Sequence, residues 1–166
     1  LYKEYYPGGK IKLVGGLNGS LKTGIYREYD TLGNLINGYI YKDDTLISEG
    51  MILFDGTYQG VWKSYYPSGK TKSSGTYVNG MPNDFWVYYY ANGRKEQEGK
   101  FRNNLPFGVW NWYYPNGQLK RMESYNAYGK LEGMVTEYDS LGNEIAKGEY
   151  YDGQQEGSWF YQVGDH

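Results

Sequence analysis

Aromatic side chains are the residues of this sequence that are best suited to contact a ligand, and they are concentrated in short runs. The run from Gly108 to Lys120 reads GVWNWYYPNGQLK and holds two tryptophans and two tyrosines within five positions. Exposed rings can stack on a sugar or fill a groove in a partner protein, whereas buried rings stabilise a core. The spacing therefore allows three interpretations: a buried strand, a ligand-stacking surface, or one copy of a repeated unit.

Residues that could perform catalytic or metal chemistry are sparse. The chain has no cysteine, and its one histidine is His166, the last residue, which is a poor place for a catalytic triad or a metal site. Asp43 and Asp44 lack the alternating oxygen ligands of a calcium loop, so a solvated turn is the favoured interpretation. Carboxylate pairs on neighbouring strands stay open because sequence spacing does not show them. We predict no enzyme activity, no catalytic residue, no cofactor and no metal.

Composition narrows the classes of partner. The 166 residues carry a net charge of −2, which gives no electrostatic reason to expect nucleic acid or an anionic membrane surface. No apolar run approaches the ~20 residues that a membrane-spanning helix needs. No signal peptide is visible and Leu1 is not an initiator methionine, which favours a trimmed fragment. The compartment stays open between the cytoplasm and the cell envelope or exterior.

The aromatic run is one copy of a repeat. Close copies start at Gly60, Asp84 and Gly108, and weaker copies start at Gly133 and Gly157. Successive starts are 24, 24, 25 and 24 residues apart. Further copies start near Leu1 and at Gly24. A fixed period of this kind indicates an array in which each unit packs against its neighbours. We predict one array over residues 1–166, with repeats that start near 1, 24, 60, 84, 108, 133 and 157.

Each repeat has the pattern of a β-hairpin. A strand with Trp-x-x-Tyr-Tyr, such as residues 62–66, is followed by a turn such as Asn92-Gly93 or Asn116-Gly117. A second strand follows with a Gly-x-aromatic step, such as Gly99 to Phe101. The predicted fold is therefore all-β: a single elongated, twisted antiparallel sheet of consecutive hairpins, with about 24 residues per repeat.

The period breaks once, between Gly24 and Gly60, which are 36 residues apart. The surplus lies in residues 34–46, which we interpret as an extended hairpin arm beyond the sheet. Two roles stay open for this arm. It is either a tolerated insertion at a loop tip or a protrusion specific to a partner, which would then present Tyr39 and Tyr41.

Repetition also predicts columns of side chains, because alternate residues of a strand share a face. Trp62, Trp86, Trp110 and Trp159 fall in one column, which we interpret as a packed spine. The position two residues later varies among Glu28, Ser64, Tyr88, Trp112 and Glu137, so it is not deeply buried in every repeat. We predict an aromatic patch around Tyr88 and Trp112. The candidate partner-binding residues are Tyr88, Trp112, Trp86, Trp110, Tyr90, Tyr114, Tyr39 and Tyr41.

The repeated Gly-x-Trp-x-x-Tyr-Tyr-x-x-Gly followed by Gly-x-Tyr-x-x-Gly resembles the bacterial variant of the MORN repeat found in YwqK-type antitoxin-like proteins. The segment YYPNGQLK, residues 113–120, carries this resemblance most closely. It implies a twisted single-layered sheet with a binding or scaffolding role and no catalytic residues to transfer. Tyr-Asp repeats of secreted shell-forming proteins share the EYDTLGNL type of turn, and cell-wall-binding repeats share hairpins with Trp-Tyr-Tyr. Both are weaker matches.

The resemblance and the aromatic rows together predict a non-catalytic protein-interaction or scaffolding module. Its partner is an unidentified protein, and the antitoxin-like version would bind a toxin and block its active site. The alternative is carbohydrate or cell-wall binding, in which exposed aromatic rows stack on sugars. The first and last repeats would leave exposed strand edges, so we also expect further repeats, a cap, or edge-to-edge self-association.

Overall fold

A computed structural model describes residues 1–162 of the chain, and over that range the secondary structure consists of β-strands and turns without a helix. The chain divides into two compact units, residues 1–81 and residues 82–166. In both units each paired strand is antiparallel to its neighbour along the chain. The predicted fold class, an all-β meander of hairpins, is confirmed. His166 lies outside the described residues.

Unit 1 is a meander in which every strand pairs with the next one. Its strands are β1 (Tyr2–Tyr5), β2 (Ile11–Asn18), β3 (Leu21–Tyr29), β4 (Leu35–Lys42), β5 (Thr45–Ile52), β6 (Tyr58–Tyr65) and β7 (Thr71–Val78).

Unit 2 has the same plan over the residues that the structure describes. Its strands are β8 (Met81–Tyr89), β9 (Lys95–Arg102), β10 (Leu105–Tyr113), β11 (Leu119–Tyr125), β12 (Gly133–Tyr138), β13 (Glu144–Tyr151) and β14 (Gln154–Tyr161).

Two kinds of turn alternate along unit 2. At one end Gly93 has a φ of 89° and donates its N–H to the Tyr90 carbonyl at 2.8 Å, which closes a short turn that favours glycine. At the other end Asn103 and Asn104, with φ of 50° and 67°, form a two-residue turn between β9 and β10. Asparagine tolerates this left-handed conformation better than most residues, so the turn residues explain where each strand ends.

The aromatic spine rests on glycines. In unit 2 the Trp110 ring covers Gly99 so closely that an added Cβ would lie 2.2 Å from it. Trp159 covers Gly148 in the same way, at 2.3 Å. In unit 1 the Trp62 ring lies on Gly50, and Trp62 is buried like Trp86 and Trp110. The prediction of a packed tryptophan spine is confirmed for these three buried residues, and Trp159 is half-buried.

Residues 34–46, which were expected to form an arm beyond the sheet, instead lie within the sheet of unit 1. Strand β4 pairs with β3 from Leu35 to Tyr41, and Asp43 and Asp44 form the tight turn that leads into β5. Strand β5 then pairs with β6 through Ser48 to Ile52. The surplus residues therefore supply an additional sheet strand, because their backbone groups pair on both sides.

The additional strand reverses the face that carries the spine. Paired residues of an antiparallel sheet share a face. Tyr26 pairs with Tyr39, Tyr39 with Glu49, and Glu49 with Lys63. Trp62 directly precedes Lys63, so its ring points to the face opposite Tyr26. The rings of β3 and β6 thus lie on opposite faces of unit 1.

Ile52 fills the place where the spine changes face. Its side chain is fully buried and packs on Gly38, whose added Cβ would lie 2.8 Å from it. Arg27 reaches the same region and donates hydrogen bonds to the carbonyls of Ile52 and Leu53, at 3.1 and 2.8 Å. An aliphatic side chain and a tethered arginine therefore replace an aromatic ring at this one position of unit 1.

Candidate functional site

The predicted partner-binding rings fall into buried and half-exposed groups. Trp86 and Trp110 are only 2% and 4% exposed, so they support the surface from below and present little area to a partner. Tyr88 and Trp112 are half-buried and lie beside them, with ring centroids 6.0 Å from Trp86 and 5.8 Å from Trp110 respectively. Within unit 2, the accessible part of the predicted patch therefore comes from the varying position.

Tyr90 and Tyr114 join consecutive repeats of unit 2. The Tyr90 hydroxyl donates to the carbonyl of Tyr113 at 2.7 Å, and the Tyr114 hydroxyl donates to the carbonyl of Tyr138 at 2.8 Å. Each ring is half-buried, and its hydroxyl satisfies a backbone acceptor near the end of a strand. These tyrosines fix the spacing of the repeats and form one wall of the surface.

Tyr39 and Tyr41 belong to unit 1 and pack around Tyr26. The ring centroids of Tyr26 and Tyr41 are 5.0 Å apart, and the Tyr39 hydroxyl donates to Glu28 at 2.5 Å. Burial, followed by this hydrogen bond, raises the pKa of Tyr39 to about 12. Both side chains are half-buried parts of the spine of unit 1, without the projection that an arm would give them.

The spine of unit 2 is interrupted between Trp110 and Trp159. In the intervening repeat Val135 occupies the tryptophan position, and Glu123 occupies the position that is glycine in Gly99 and Gly148. In the neighbouring repeats a tryptophan lies over a glycine. Here the smaller Val135 lies beside the larger, charged Glu123. The backbone register continues through the exchange, since Trp110 pairs with Glu123 and Val135 pairs with Gly148.

Glu123 is held in a network of charged and phenolic groups. Glu123 is only 5% exposed. Its carboxylate accepts hydrogen bonds from the Arg121 guanidinium and the Tyr125 hydroxyl. The same guanidinium donates to Glu137 on the next strand. A buried carboxylate is tolerated only when it is paired and hydrogen-bonded, and this network meets that condition.

The network sets the ionisation of its members. Burial, followed by the bond to Glu123, raises the pKa of the Tyr125 phenol well above its usual range, so the phenol stays protonated and donates. Burial opposes the charge on Arg121, but its bonds and attraction to Glu123 and Glu137 outweigh that cost and raise its pKa. The guanidinium therefore stays charged and links β11 to β12 through Glu137.

A pocket of about 530 Å³ opens to solvent beside Glu123. Four aromatic side chains contribute to its lining, namely Trp112, Tyr114, Tyr125 and Tyr138. Four charged side chains contribute as well, namely Lys120, Arg121, Glu123 and Glu137. Lys120 also lies over the Tyr114 ring, with its Nζ 5.6 Å from the centroid. The pocket therefore combines flat apolar walls with hydrogen-bond donors and acceptors. Two of the predicted site residues, Trp112 and Tyr114, line it.

Sequence reasoning missed Arg121, Glu123 and Glu137. The available signal was the repeat GMVTEY, which lacks tryptophan, and the preceding RMESY, which lacks the glycine of the other repeats. Each difference alone resembles ordinary drift within a repeat. Their meaning follows from the strand pairing, which places the two changed positions in neighbouring strands of one spine.

Metal sites and membrane-spanning helices are absent from the part of the chain that the structure describes. Among residues 1–162, no group of three His, Cys, Asp or Glu side chains comes close enough to hold a metal ion. The same described range contains no helix with the length and apolar character needed to cross a membrane.

Two segments of the chain match a known repeat family. Residues 58–79, which include β6 and β7, and residues 108–127, which include most of β10 and all of β11, match the family model MORN repeat variant. MORN repeats are commonly protein- or membrane-interaction modules and are generally non-catalytic. No curated protein gives a significant match to the chain. Both matched segments contain the complete Trp-x-x-Tyr-Tyr pattern followed by Pro-x-Gly.

Proposed function

We propose that this chain is a non-catalytic module that binds a protein partner through one face of unit 2. This face, called the ring face below, carries Tyr88 and Trp112. The proposal combines the two matched repeats with the half-exposed rings beside the spine. In this role Tyr88 and Trp112 contact the partner, Tyr90 and Tyr114 border the contact, and Trp86 and Trp110 hold the rings in place from below.

The observation that carries the proposal is the placement of Trp112. Its neighbour Trp110 already covers Gly99 and is buried, so the spine of this repeat is complete without a second indole. Other repeats carry Glu28, Ser64 or Glu137 at the same position, so the fold does not require a ring there. A large, rigid, half-exposed ring that packing does not require is typical of a protein contact.

An antitoxin-like activity is the more specific version of this proposal. In that version the ring face covers the active site of a toxin, and inhibition follows from steric exclusion of substrate. The support is the resemblance of the repeats to antitoxin-like MORN-variant proteins, together with a rigid surface built from paired strands. The chain itself then needs no catalytic group.

Site-specific photo-cross-linking tests the protein-binding role. A benzophenone amino acid is placed at position 112 of the full-length protein in its native host, and a matched variant carries it at Val109. Val109 lies on the same strand, is 56% exposed and points to the opposite face, so both probes are reachable but only one reports on the ring face.

We expect a discrete cross-linked protein from position 112 and none from position 109. Trp112→Ala should abolish co-purification of that protein, whereas Trp112→Phe should retain part of it because the ring contact survives. Equal cross-linking at both positions, or none at position 112, would contradict the proposal. A captured protein that is a nuclease or another toxin inhibited by this chain would support the antitoxin-like version.

A further inference from the structure

The interruption of the spine in unit 2 lacks a reason in packing. On one side of it Trp110 lies on Gly99, and on the other Trp159 lies on Gly148, within the same succession of strands. Replacing this apolar packing with Val135 and the network of Arg121 and Glu123 requires burial of a carboxylate. Buried ion pairs commonly contribute no more stability than well-packed apolar residues of similar volume. The exchange therefore points to a function of the pocket that Arg121 and Glu123 line.

The size of the pocket suits a small ligand. Its volume of about 530 Å³ lies within the ~300–1,000 Å³ that is usual for small-molecule sites. Trp112 and Tyr138 provide flat ring surface, while Arg121 and Glu137 provide hydrogen-bond donors and acceptors. A ligand that fits must therefore offer both an apolar face and several polar groups.

The charges of the lining balance. Lys120 and Arg121 contribute two positive charges, and Glu123 and Glu137 contribute two negative charges. An anionic ligand would meet the carboxylate of Glu137, and a cationic ligand would meet Lys120 and Arg121. A neutral ligand avoids both kinds of repulsion, and it can still form charge-assisted hydrogen bonds with Lys120, Arg121 and Glu137.

We propose that the pocket at the interruption of the spine binds a short, neutral saccharide. A pyranose ring presents C–H groups on its faces, which stack on the Trp112 ring. Its equatorial hydroxyls both donate and accept, so they can donate to the Glu137 carboxylate and accept from Lys120 and the remaining N–H groups of Arg121. The pocket shares Trp112 and Tyr114 with the proposed protein contact. Saccharide binding is argued from the polar lining and does not depend on the protein-binding role.

An aromatic side chain of a protein partner fits the same pocket less well. It would occupy the space beside Trp112 but would exclude water from Arg121 and Glu137 without replacing the lost hydrogen bonds. Polar groups that lose water without gaining a partner weaken binding. The polar lining therefore favours hydroxyl-rich ligands over a purely apolar insert.

Binding is tested with defined oligosaccharides on the full chain. The probes are the neutral trimers of cellulose, starch, xylan, mannan and chitin, each at concentrations up to roughly 10 mM, which detects weak sugar binding. Chitosan trimer and trigalacturonic acid serve as the cationic and anionic counterparts. Saturation-transfer NMR reports contact with the sugar, and tryptophan fluorescence reports contact with the indole.

A variant that restores the spine provides the decisive control. Glu123→Gly combined with Val135→Trp should place an indole on a glycine, as in the repeats on either side, and close the pocket. We expect this variant to lose saccharide binding by about tenfold or more, as expected when a site is filled. Because it retains Trp112 and Tyr88, its cross-linking to a protein partner is a separate measurement. If this variant does not fold, Trp112→Ala should show a comparable loss, while Tyr128→Ala, outside the pocket, should bind normally.

The expected result is binding of at least one neutral trimer, weaker or absent binding of the charged trimers, and loss in the restored-spine or Trp112→Ala variant. The proposal is overturned if no neutral trimer binds. It is equally overturned if a charged trimer binds more tightly than every neutral one, or if binding survives closure of the pocket.

Discussion

The repeats that begin at Gly108 and Gly133 share a backbone plan but differ in what fills it. In the first, Trp110 covers Gly99 and the spine is closed. In the second, the buried Val135 stands in the tryptophan position, and a pocket opens beside Glu123. Both repeats begin with a glycine in the left-handed region, with φ of 67° and 88°. The turns and register thus define the hairpin, and the side chains at the two exchanged positions decide whether the aromatic spine continues.

Trp110→Ala should have the largest effect on stability, because it empties the closed repeat. Truncation of a buried tryptophan typically lowers the free energy of unfolding by ~3–5 kcal/mol. Trp112→Ala, two residues away on the same face, should cost clearly less, since its ring is half-buried. Urea unfolding of both variants measures the difference. Equal losses would show that Trp112 belongs to the core and would remove the main support for a binding surface.

Arg121→Met should have the next largest effect, because it takes the guanidinium away from the buried Glu123 carboxylate and leaves the hydrogen bond from Tyr125. We expect the free energy of unfolding to fall by about 2–3 kcal/mol, less than for a fully buried pair because Arg121 is partly exposed. Lys130→Met removes the cation of a solvent-exposed pair with Asp152 and should cost at most ~1 kcal/mol.

The double variant Arg121→Met with Glu123→Gln sharpens that measurement. It removes both charges, so it should be more stable than Arg121→Met alone. If Arg121→Met and Lys130→Met cost the same, the network around Glu123 is no more than a surface ion pair.

Restoring the spine tests whether Glu123 and Val135 are energetically coupled. The repeat that begins at Gly133 is called the open repeat below, and the one that begins at Gly108 the closed repeat. Val135→Trp alone brings an indole against the Glu123 side chain. Glu123→Gly alone leaves the space of that side chain empty and leaves Arg121 bonded to Glu137. Together they reproduce the Trp110 and Gly99 arrangement. Neighbouring positions of this kind show interaction energies of ~0.5–3 kcal/mol, and we expect a favourable one in a double-mutant cycle measured by urea unfolding. Simple additivity would mean that the two positions do not share one packing site.

Much of the closed repeat follows from sequence, whereas the open one does not. Period, turn chemistry and strand alternation predict the hairpins and the burial of Trp62, Trp86 and Trp110, because these are local properties repeated along the chain. The pocket depends on cross-strand register, which places Glu123 and Val135 in neighbouring strands. Spacing along the chain carries no information about that relation until the pairing is known.

The additional strand of unit 1 was missed for a related reason. Tyr39 occupies the position that is Gly75 in a regular repeat, since Tyr26 pairs with Tyr39 as Trp62 pairs with Gly75. Strand β4 therefore lacks the Gly-x-aromatic step of β7, β9 and β13, and its residues resemble an insertion in the sequence. Hydrogen bonds on both edges of β4 make it an interior strand, and such pairing is a tertiary property.

The smallest expected effect concerns alkaline pH and again separates the two repeats. In the closed repeat the Tyr113 hydroxyl donates to Glu98 at 2.6 Å, whereas the open repeat has Met122, which cannot accept such a bond, at the position of Glu98. Burial, followed by the bond to Glu98, raises the pKa of Tyr113 to about 12. An unfolded tyrosine titrates near pH ~10. The folded chain therefore binds more protons between these values, and its stability must fall as pH rises from about 10 to about 12.

Tyr113→Phe should flatten that alkaline decline, because phenylalanine has no proton to lose, although it sacrifices a hydrogen bond at neutral pH. Glu98→Gln should flatten it less, since burial, the larger cause, remains. Tyr39 and Tyr65, whose pKa values burial and a glutamate likewise raise to about 12, keep part of the decline in every variant. Urea midpoints measured at steps from pH 8 to 12 follow the change in slope across the range where tyrosine titrates. An unchanged slope in Tyr113→Phe would show that its phenol does not stay protonated in the folded chain at these pH values, and that the bond to Glu98 does not distinguish the closed repeat.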